Sequence, residues 1–162
     1  MIKPEELKQI EFLNRIGEPH LTQIVRMARL KEHEPGSVIF RQGENAPFVY
    51  LVLSGKIGLQ LENLGETPIE VSRVGPGELL AWSPVLGRHA MTATARAVSR
   101  CRLAILDVNE LTAVFQKDPH FEAAFLRQVA SVVSDRLWDT RKGIARAISH
   151  RPLLSAESEG SD

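Results

Sequence analysis

The sequence contains a single cysteine, Cys101, among its 162 residues, and it has no excess of charge of either sign. One cysteine cannot form an intrachain disulfide, which favours a reducing, cytoplasmic location. The 20 Lys and Arg residues balance the 20 Asp and Glu residues, so the basic surface typical of DNA-binding or membrane-surface proteins is missing. No segment approaches the ~20 consecutive apolar residues of a membrane span, and no apolar signal region follows Met1. These absences predict a cytoplasmic protein that lies outside the membrane.

The composition is that of an ordinary globular domain. Hydrophobic residues make up 43% of the chain and charged residues 25%. A chain of this length forms one domain and buries roughly 70% of its unfolded surface. We therefore expect a fold that needs neither a metal ion nor a disulfide for stability.

Periodicity divides the chain into three zones within one domain, residues 1–148. Residues 3–30 have helical spacing, interrupted at Gly17 and Pro19. Residues 31–106 consist of short apolar or alternating runs separated by glycines, which predicts antiparallel strands. These runs are 37–40, 48–53, 56–61, 69–74, 92–98 and 102–106. Residues 107–148 are helical again, and residues 149–162 form a polar tail that we expect to be disordered.

The third zone predicts two helices. Asp107 followed by Glu110 resembles a capping box at a helix start, and Asp118 with Pro119 ends that helix. A second helix over 121–148 has one apolar stripe and would be about 40 Å long. Because one small β-domain cannot cover that length, we expect the distal half to pair with a second copy of the chain, forming a homodimer.

A glycine-rich turn lies between two of the predicted strands. Gly75, Pro76, Gly77 and Glu78 precede a short stretch that could form one or two helical turns. Glycine permits close approach of the backbone to a ligand, and N–H groups at a helix start attract anions. A carboxylate can accept hydrogen bonds from a sugar, and an arginine can bind a phosphate through two parallel bonds. Such parts would form a ribose-phosphate pocket, although a tight turn explains the motif equally well.

Several segments, in order and spacing, resemble the cyclic-nucleotide-binding domain family. They are PGSVIFRQGE at 35–44, YLVLSGKI at 50–57, GPGE at 75–78 and ARA at 95–97. The resemblance extends over about 12–144 and is to the sensor domain of bacterial cyclic-AMP receptor proteins. It implies an α+β fold with N-terminal helices, an eight-stranded antiparallel, jelly-roll-like β-roll and two C-terminal helices, the last one long. It also implies a phosphate-binding cassette that begins at residue 75.

The resemblance assigns roles to individual residues. Gly77 and Glu78 match the residues that meet the ribose, and the backbone amides of Leu79 and Leu80 match those beside the phosphate. The stretch DRLWDT at 135–140 resembles the ligand-facing part of the long helix. Arg136 and Thr140, four residues apart and so on one helix face, would form a lid over the ligand.

The position of the phosphate-binding arginine is ambiguous. Arg88 stands ten positions after Glu78, which is an acceptable spacing for the family. Counting back from ARA at 95–97 instead places Met91 there, followed by Thr92 at the small-hydroxyl position. We favour Met91, because strand register is harder to shift than a loop. Trp82 stands where the family prefers small residues, so we expect a degenerate cassette.

These features predict a stand-alone, non-enzymatic sensor module without a cofactor. Its ligand would be cyclic AMP or another cyclic nucleotide, bound weakly, or a different nucleotide-like small molecule. Only a short polar segment follows Ile148, too short for a helix-turn-helix, so we expect no direct DNA binding. The signal would pass through the long helix to an unidentified protein partner or a second copy.

Two other functions remain open. The chain could be a structural dimerisation module that has lost its ligand, which differs from the sensor only in whether the pocket is open. It could also be a cupin-like enzyme, which would need a cluster of histidines with a glutamate inside the barrel. None of the five histidines forms a close pair in the sequence, and we interpret them as surface residues.

Overall fold

Two short helices open the chain. The structure is a computed structural model that describes residues 2–88 and 90–150. Helix α1 (Pro4–Lys8) is followed by a 3-10 turn (Glu11–Leu13) and by helix α2 (Glu18–Met27). A proline lies in the first turn of each helix, where its missing N–H leaves no hydrogen bond unmade. The break predicted near Gly17 separates the two, and Gly17 is the N-cap of α2.

Seven antiparallel strands form two sheets that face each other. They are β1 (Arg29–His33), β2 (Val38–Phe40), β3 (Phe48–Ser54), β4 (Ile57–Leu61), β5 (Ile69–Val74), β6 (Thr94–Ala97) and β7 (Cys101–Asp107). One sheet has the order β1-β7-β3 and the other β2-β6-β4-β5. The predicted α+β fold with a β-roll is confirmed, with seven strands in the described residues where eight were expected. Two isolated bridges, Asn45–Ala90 and Leu51–Leu79, add pairing outside the strands.

Strand β1 lies where the sequence predicts the junction of the helical and β zones. Its five residues pair with β7, from Arg29 opposite Ile105 to His33 opposite Cys101. Only His33 is buried in this strand, so no apolar alternation marks it in the sequence. Pairing with the apolar strand β7, rather than its own composition, determines its conformation.

Two helices follow the roll, as the sequence predicts. Helix α3 (Val108–Lys117) begins after Asp107, whose carboxylate accepts a hydrogen bond from the Asn109 N–H at 2.8 Å. The predicted capping box is wrong, because Glu110 does not reach back to Asp107. Its carboxylate pairs instead with Arg29 of β1 at 3.1 Å.

Helix α4 (Pro119–Ser149) has 31 residues and begins with a side-chain cap. The Asp118 carboxylate accepts a hydrogen bond from the Phe121 N–H at 3.0 Å. The predicted span of 121–148 therefore falls inside the observed helix. The tail predicted to be disordered lies outside the described residues from position 151 onward.

An aromatic cluster joins the N-terminal segment to the C-terminal helices. Phe125 is fully buried, and its ring lies 5.1 Å from that of Phe12 and 5.4 Å from that of Phe115. Phe121 completes the cluster, 5.2 Å from Phe115. The near-perpendicular pairs have the edge-to-face geometry that aromatic rings favour. These contacts hold the first half of α4 against the N-terminal segment and α3.

The distal half of α4 touches strand β5 at one glycine. Gly143 is buried, and a Cβ atom built on it would lie 2.6 Å from the Cα and carbonyl oxygen of Val71. No real Cβ contact is that short, so the helix approaches the strand this closely only because residue 143 lacks a side chain. This contact fixes the position of α4 over the four-stranded sheet.

Gly143→Ala is expected to destabilise the protein by about 1–2 kcal/mol, because the added methyl must push α4 away from rigid backbone. In an exposed helix the same change stabilises by up to about 1 kcal/mol. The sign of the change in the free energy of unfolding therefore shows whether residue 143 is pressed against β5 or is exposed. Urea unfolding measures the difference. Ser134→Ala, at an exposed position of α4, is the control and should be near neutral. A Gly143→Ala variant more stable than the parent would show that α4 does not press on β5.

Candidate functional site

A cavity of about 260 Å³ lies between the four-stranded sheet and helix α4. Strands β2, β4 and β5 form its floor, the segments 80–83 and 91–93 form its sides, and α4 covers it. The described residues that line it are Phe40, Leu59, Leu61, Val71, Leu80, Ala81, Trp82, Ser83, Met91, Thr92, Ala93, Val133, Arg136, Leu137 and Thr140. We call it the helix-covered cavity.

Most of this lining is apolar. The polar exceptions are Ser83, Thr92, Arg136 and Thr140, and Arg136 is the one charged residue among the described residues that line the cavity. Five of the nine residues expected at the site lie here: Leu80, Met91, Thr92, Arg136 and Thr140. Thr92 is exposed and lies at the rim, whereas Thr140 is half-buried one helical turn beyond Arg136.

Met91 lies in the cavity wall, while Arg88 lies outside it. Met91 is 3% exposed and held by backbone hydrogen bonds on both sides, from its N–H to Glu44 and from the Gly43 N–H to its carbonyl. Arg88 is exposed and is not among the described residues that line the cavity. Its backbone N–H donates to the Ser83 carbonyl at 3.0 Å, at the end of a 3-10 turn (Ser83–Leu86). The side chain that residue 91 contributes to the cavity wall is therefore an uncharged thioether.

Gly77 and Glu78 face a different cavity. This polar cavity, of about 200 Å³, lies between the N-terminal segment, residues 77–79 and α4. Gly77 has φ +88°, and a Cβ there would lie 3.4 Å from the Glu11 amide nitrogen. Its carbonyl accepts a hydrogen bond from the Phe12 N–H at 3.2 Å. Turn geometry and packing against the N-terminal segment thus account for this glycine.

The carboxylate of Glu78 is also occupied within the turn. It accepts a hydrogen bond from the Gly75 N–H at 2.6 Å. The following residues are tied to strand β3: Leu79 forms a bridge with Leu51, and the Leu80 N–H donates to the Tyr50 carbonyl at 2.8 Å. The Leu80 amide therefore bonds within the roll, and its side chain lines the helix-covered cavity.

Arg136 borders both cavities. Its Nη2 donates to the Leu79 carbonyl at 3.2 Å and its Nη1 to the Ser72 hydroxyl at 3.4 Å. Among the described residues no atom accepts a hydrogen bond from its buried Nε. Burial lowers the pKa of Arg136, and the nearby carboxylates of Glu78, Asp139 and Asp135 oppose that effect. The guanidinium is thus a partly desolvated cation whose hydrogen-bonding capacity is not filled.

Several apolar wall residues were not anticipated from the sequence. Leu59, Leu61 and Val71 alternate along β4 and β5 and were indistinguishable from core residues. Only the closeness of α4 to the sheet, visible in three dimensions, marks them as cavity lining. Trp82, which stands where the family prefers small residues, has a half-buried side chain that lines the cavity.

The histidines were expected at the surface, and His33 departs from that expectation. It is 8% exposed in β1, and burial lowers its pKa. His89 lies outside the described residues. Over residues 2–88 and 90–150 no group of three or more His, Cys, Asp or Glu side chains is placed to hold a metal ion. No helix in these residues is long and apolar enough to span a bilayer.

Residues 30–118 match the cyclic nucleotide-binding domain family. A candidate potassium channel protein of Rhodopseudomonas palustris is 30% identical over 130 residues, which are 79% of this chain and 30% of that protein. The cyclic AMP receptor protein of Thermus thermophilus is 33% identical over 84 residues, 52% of this chain and 39% of that protein. The chain therefore spans less than half the length of these two relatives.

A solved structure has the same architecture. The crystal structure of a candidate cyclic nucleotide-binding protein from Geobacter metallireducens superposes with a TM-score of 0.74 at 26% identity. The superposition covers 85% of this chain and 99% of that one. Because the family match spans more than half of the 162 residues and the fold superposes on that of the Geobacter metallireducens protein, the chain belongs to the cyclic nucleotide-binding domain family.

Proposed function

We propose that this domain is a regulatory module that binds a small molecule in the helix-covered cavity and transmits its presence through α4. We further propose that its phosphate-binding cassette is degenerate, so that cyclic nucleotides such as cyclic AMP bind weakly. Membership of the cyclic nucleotide-binding domain family supports the regulatory role. The position and chemistry of the cavity support the choice of ligand site.

The observation that carries the proposal is that Met91 is buried in the cavity wall, whereas Arg88 is exposed and lies outside the cavity. A phosphate that enters an apolar cavity loses its water and needs a cation in return. Leaving a buried charge without its partner costs ~3–5 kcal/mol, or about two to four decades of affinity. The one cation among the described lining residues, Arg136, is on α4 rather than at the cassette position 91.

Helix α4 is suited to report on the cavity because it forms the cover. Val133, Arg136, Leu137 and Thr140 all line the space beneath it. A ligand that fits better when the helix is closed shifts the population toward that state. The same helix exposes 52% of Leu137 and 62% of Trp138. These exposed apolar side chains support a homodimer through α4, or a protein partner that docks there.

We propose a non-enzymatic role in the cytoplasm without DNA contact. The balance of 20 positive and 20 negative residues disfavours binding to nucleic acid. The buried, unpaired thiol of Cys101 suits a reducing compartment. Its pKa is raised by burial, which makes it a poor nucleophile.

Titration with cyclic AMP in a calorimeter tests the proposal. We expect no saturation below about 100 µM, because the missing phosphate partner removes two to four decades of affinity. Thermal unfolding gives a second readout, since a ligand at 100 times its Kd stabilises a protein by about 2.7 kcal/mol. Saturable binding at micromolar cyclic AMP would contradict the degenerate cassette. Loss of that binding in Arg88→Ala would then identify Arg88 as the phosphate ligand.

A further inference from the structure

The size of the helix-covered cavity limits its ligand. A cavity of about 150 Å³ lined by apolar side chains holds benzene. The volume here is about 260 Å³, which on the same scale suits an apolar body of about eight to ten carbon atoms. The walls contributed by Phe40, Leu59 and Leu61 offer such a body apolar contacts and few hydrogen-bonding groups.

The single cation in the described part of the cavity lining limits the charge of the ligand. Arg136 is the one cation among the described lining residues, and its Nε has no acceptor among the described atoms. Its contacts to Ser72 and Leu79, at 3.4 and 3.2 Å, are long for charge-assisted hydrogen bonds. Glu78, Asp135 and Asp139 lie near enough to interact with its charge, and their carboxylates would repel a ligand that carries more than one negative charge.

We propose that the ligand is a monocarboxylic acid with an apolar body of about eight to ten carbons. Its carboxylate would accept hydrogen bonds from the Arg136 guanidinium, which presents parallel donors that match a carboxylate. Its hydrocarbon would lie against the apolar floor formed by β2, β4 and β5. This inference rests on the proposed function, because it names the ligand class of the same cavity.

Tryptophan fluorescence provides an optical readout. The chain has two tryptophans, of which Trp82 is in the cavity wall. Trp138 also lies on α4 but is 62% exposed and is not among the residues that line the cavity. In a Trp138→Phe background Trp82 is the sole reporter. Octanoate and 1-octanol, neither of which absorbs at the excitation wavelength, are the probes, because they share a chain of eight carbons and differ in the charged group.

We expect octanoate to change the Trp82 signal saturably, with a Kd at least tenfold below that of 1-octanol. Arg136→Met should raise the Kd for octanoate to about that of 1-octanol, because the uncharged side chain cannot bind the carboxylate. Arg141→Met is the matched control, since Arg141 is exposed on the same helix and outside the cavity. It should bind octanoate as the parent does. Thermal unfolding of both variants verifies that they are folded.

Three outcomes would overturn the inference, and the first two also bear on the proposed function. If 1-octanol binds as tightly as octanoate, the carboxylate is wrong, but an apolar ligand in this cavity stands. If cyclic AMP saturates the Trp82 signal at micromolar concentration and octanoate does not, both the ligand class and the degenerate cassette are wrong. If Val133→Trp, which fills the cavity, leaves octanoate binding unchanged, the probe binds elsewhere.

Discussion

Met91→Arg is expected to raise the affinity for cyclic AMP about a hundredfold, or ~2.7 kcal/mol. Met91 lines the helix-covered cavity at 3% exposure, and backbone bonds to Glu44 and from Gly43 hold its position. A guanidinium there would give a bound phosphate the partner that the cavity wall now lacks. Hydrogen bonds to a charged group contribute ~1.5–3 kcal/mol each, so the expected gain requires only one or two of them. Isothermal titration calorimetry measures the change directly.

Two controls make the Met91 result interpretable. Met91→Leu keeps the apolar volume and should leave cyclic AMP affinity unchanged, which separates charge from repacking. Arg88→Ala should have no effect in either background, because Arg88 is exposed outside the cavity. A folded Met91→Arg variant that binds no better than the parent would show that residue 91 does not face the phosphate. In that case the half-buried Trp82 would be the next side chain to replace with alanine.

Phe125→Ala is expected to lower the free energy of unfolding by about 3–5 kcal/mol, the usual cost of removing a buried phenyl ring. Phe125 is fully buried and contacts Phe12, Phe115 and Phe121. The variant would leave a void at the point where the N-terminal segment meets both C-terminal helices. Urea unfolding monitored by circular dichroism gives the change in free energy and its dependence on denaturant.

Two control variants accompany Phe125→Ala, one a conservative substitution at the same position and the other a substitution at the surface. Phe125→Leu retains much of the volume and should cost less than half as much. Leu64→Ala, at a position 48% exposed between β4 and β5, should be within about 0.5 kcal/mol of the parent. A cost below about 1.5 kcal/mol for Phe125→Ala would indicate that α4 is not anchored by the aromatic cluster.

Elements with strong local signals were predicted correctly. The apolar runs at 48–53 and 69–74 correspond closely to β3 and β5. An apolar run that ends at a glycine-containing turn is enough to predict a buried strand from local sequence alone. Strand β1 was not recognised as a strand, because four of its five residues are not buried and its conformation depends on pairing with β7. The sequence of residues 29–33 alone does not indicate that they pair with β7, which is about 70 residues away in the chain.

The site was harder to predict than the fold. Sequence spacing offered both Arg88 and Met91 for one position, and the ambiguity arose from the short turn that precedes them. Backbone bonding of Met91 to Gly43 and Glu44, more than forty positions earlier, sets which side chain enters the cavity. Gly77 and Glu78 were assigned to the ligand through resemblance, yet in the structure both line the polar cavity and Gly77 packs against the N-terminal segment.

The contact between Phe12 and Phe125 sets how far the domain can be trimmed. The family match covers 30–118, but an excised fragment with those ends would lack both rings of this pair. It would leave Phe115 without its two aromatic neighbours on α4 and would uncover the floor of the helix-covered cavity. We therefore expect the smallest fragment that folds on its own to be longer than the region by which the family is recognised. Such a fragment must include both Phe12 in the N-terminal segment and Phe125 in α4, because these two rings pack against each other.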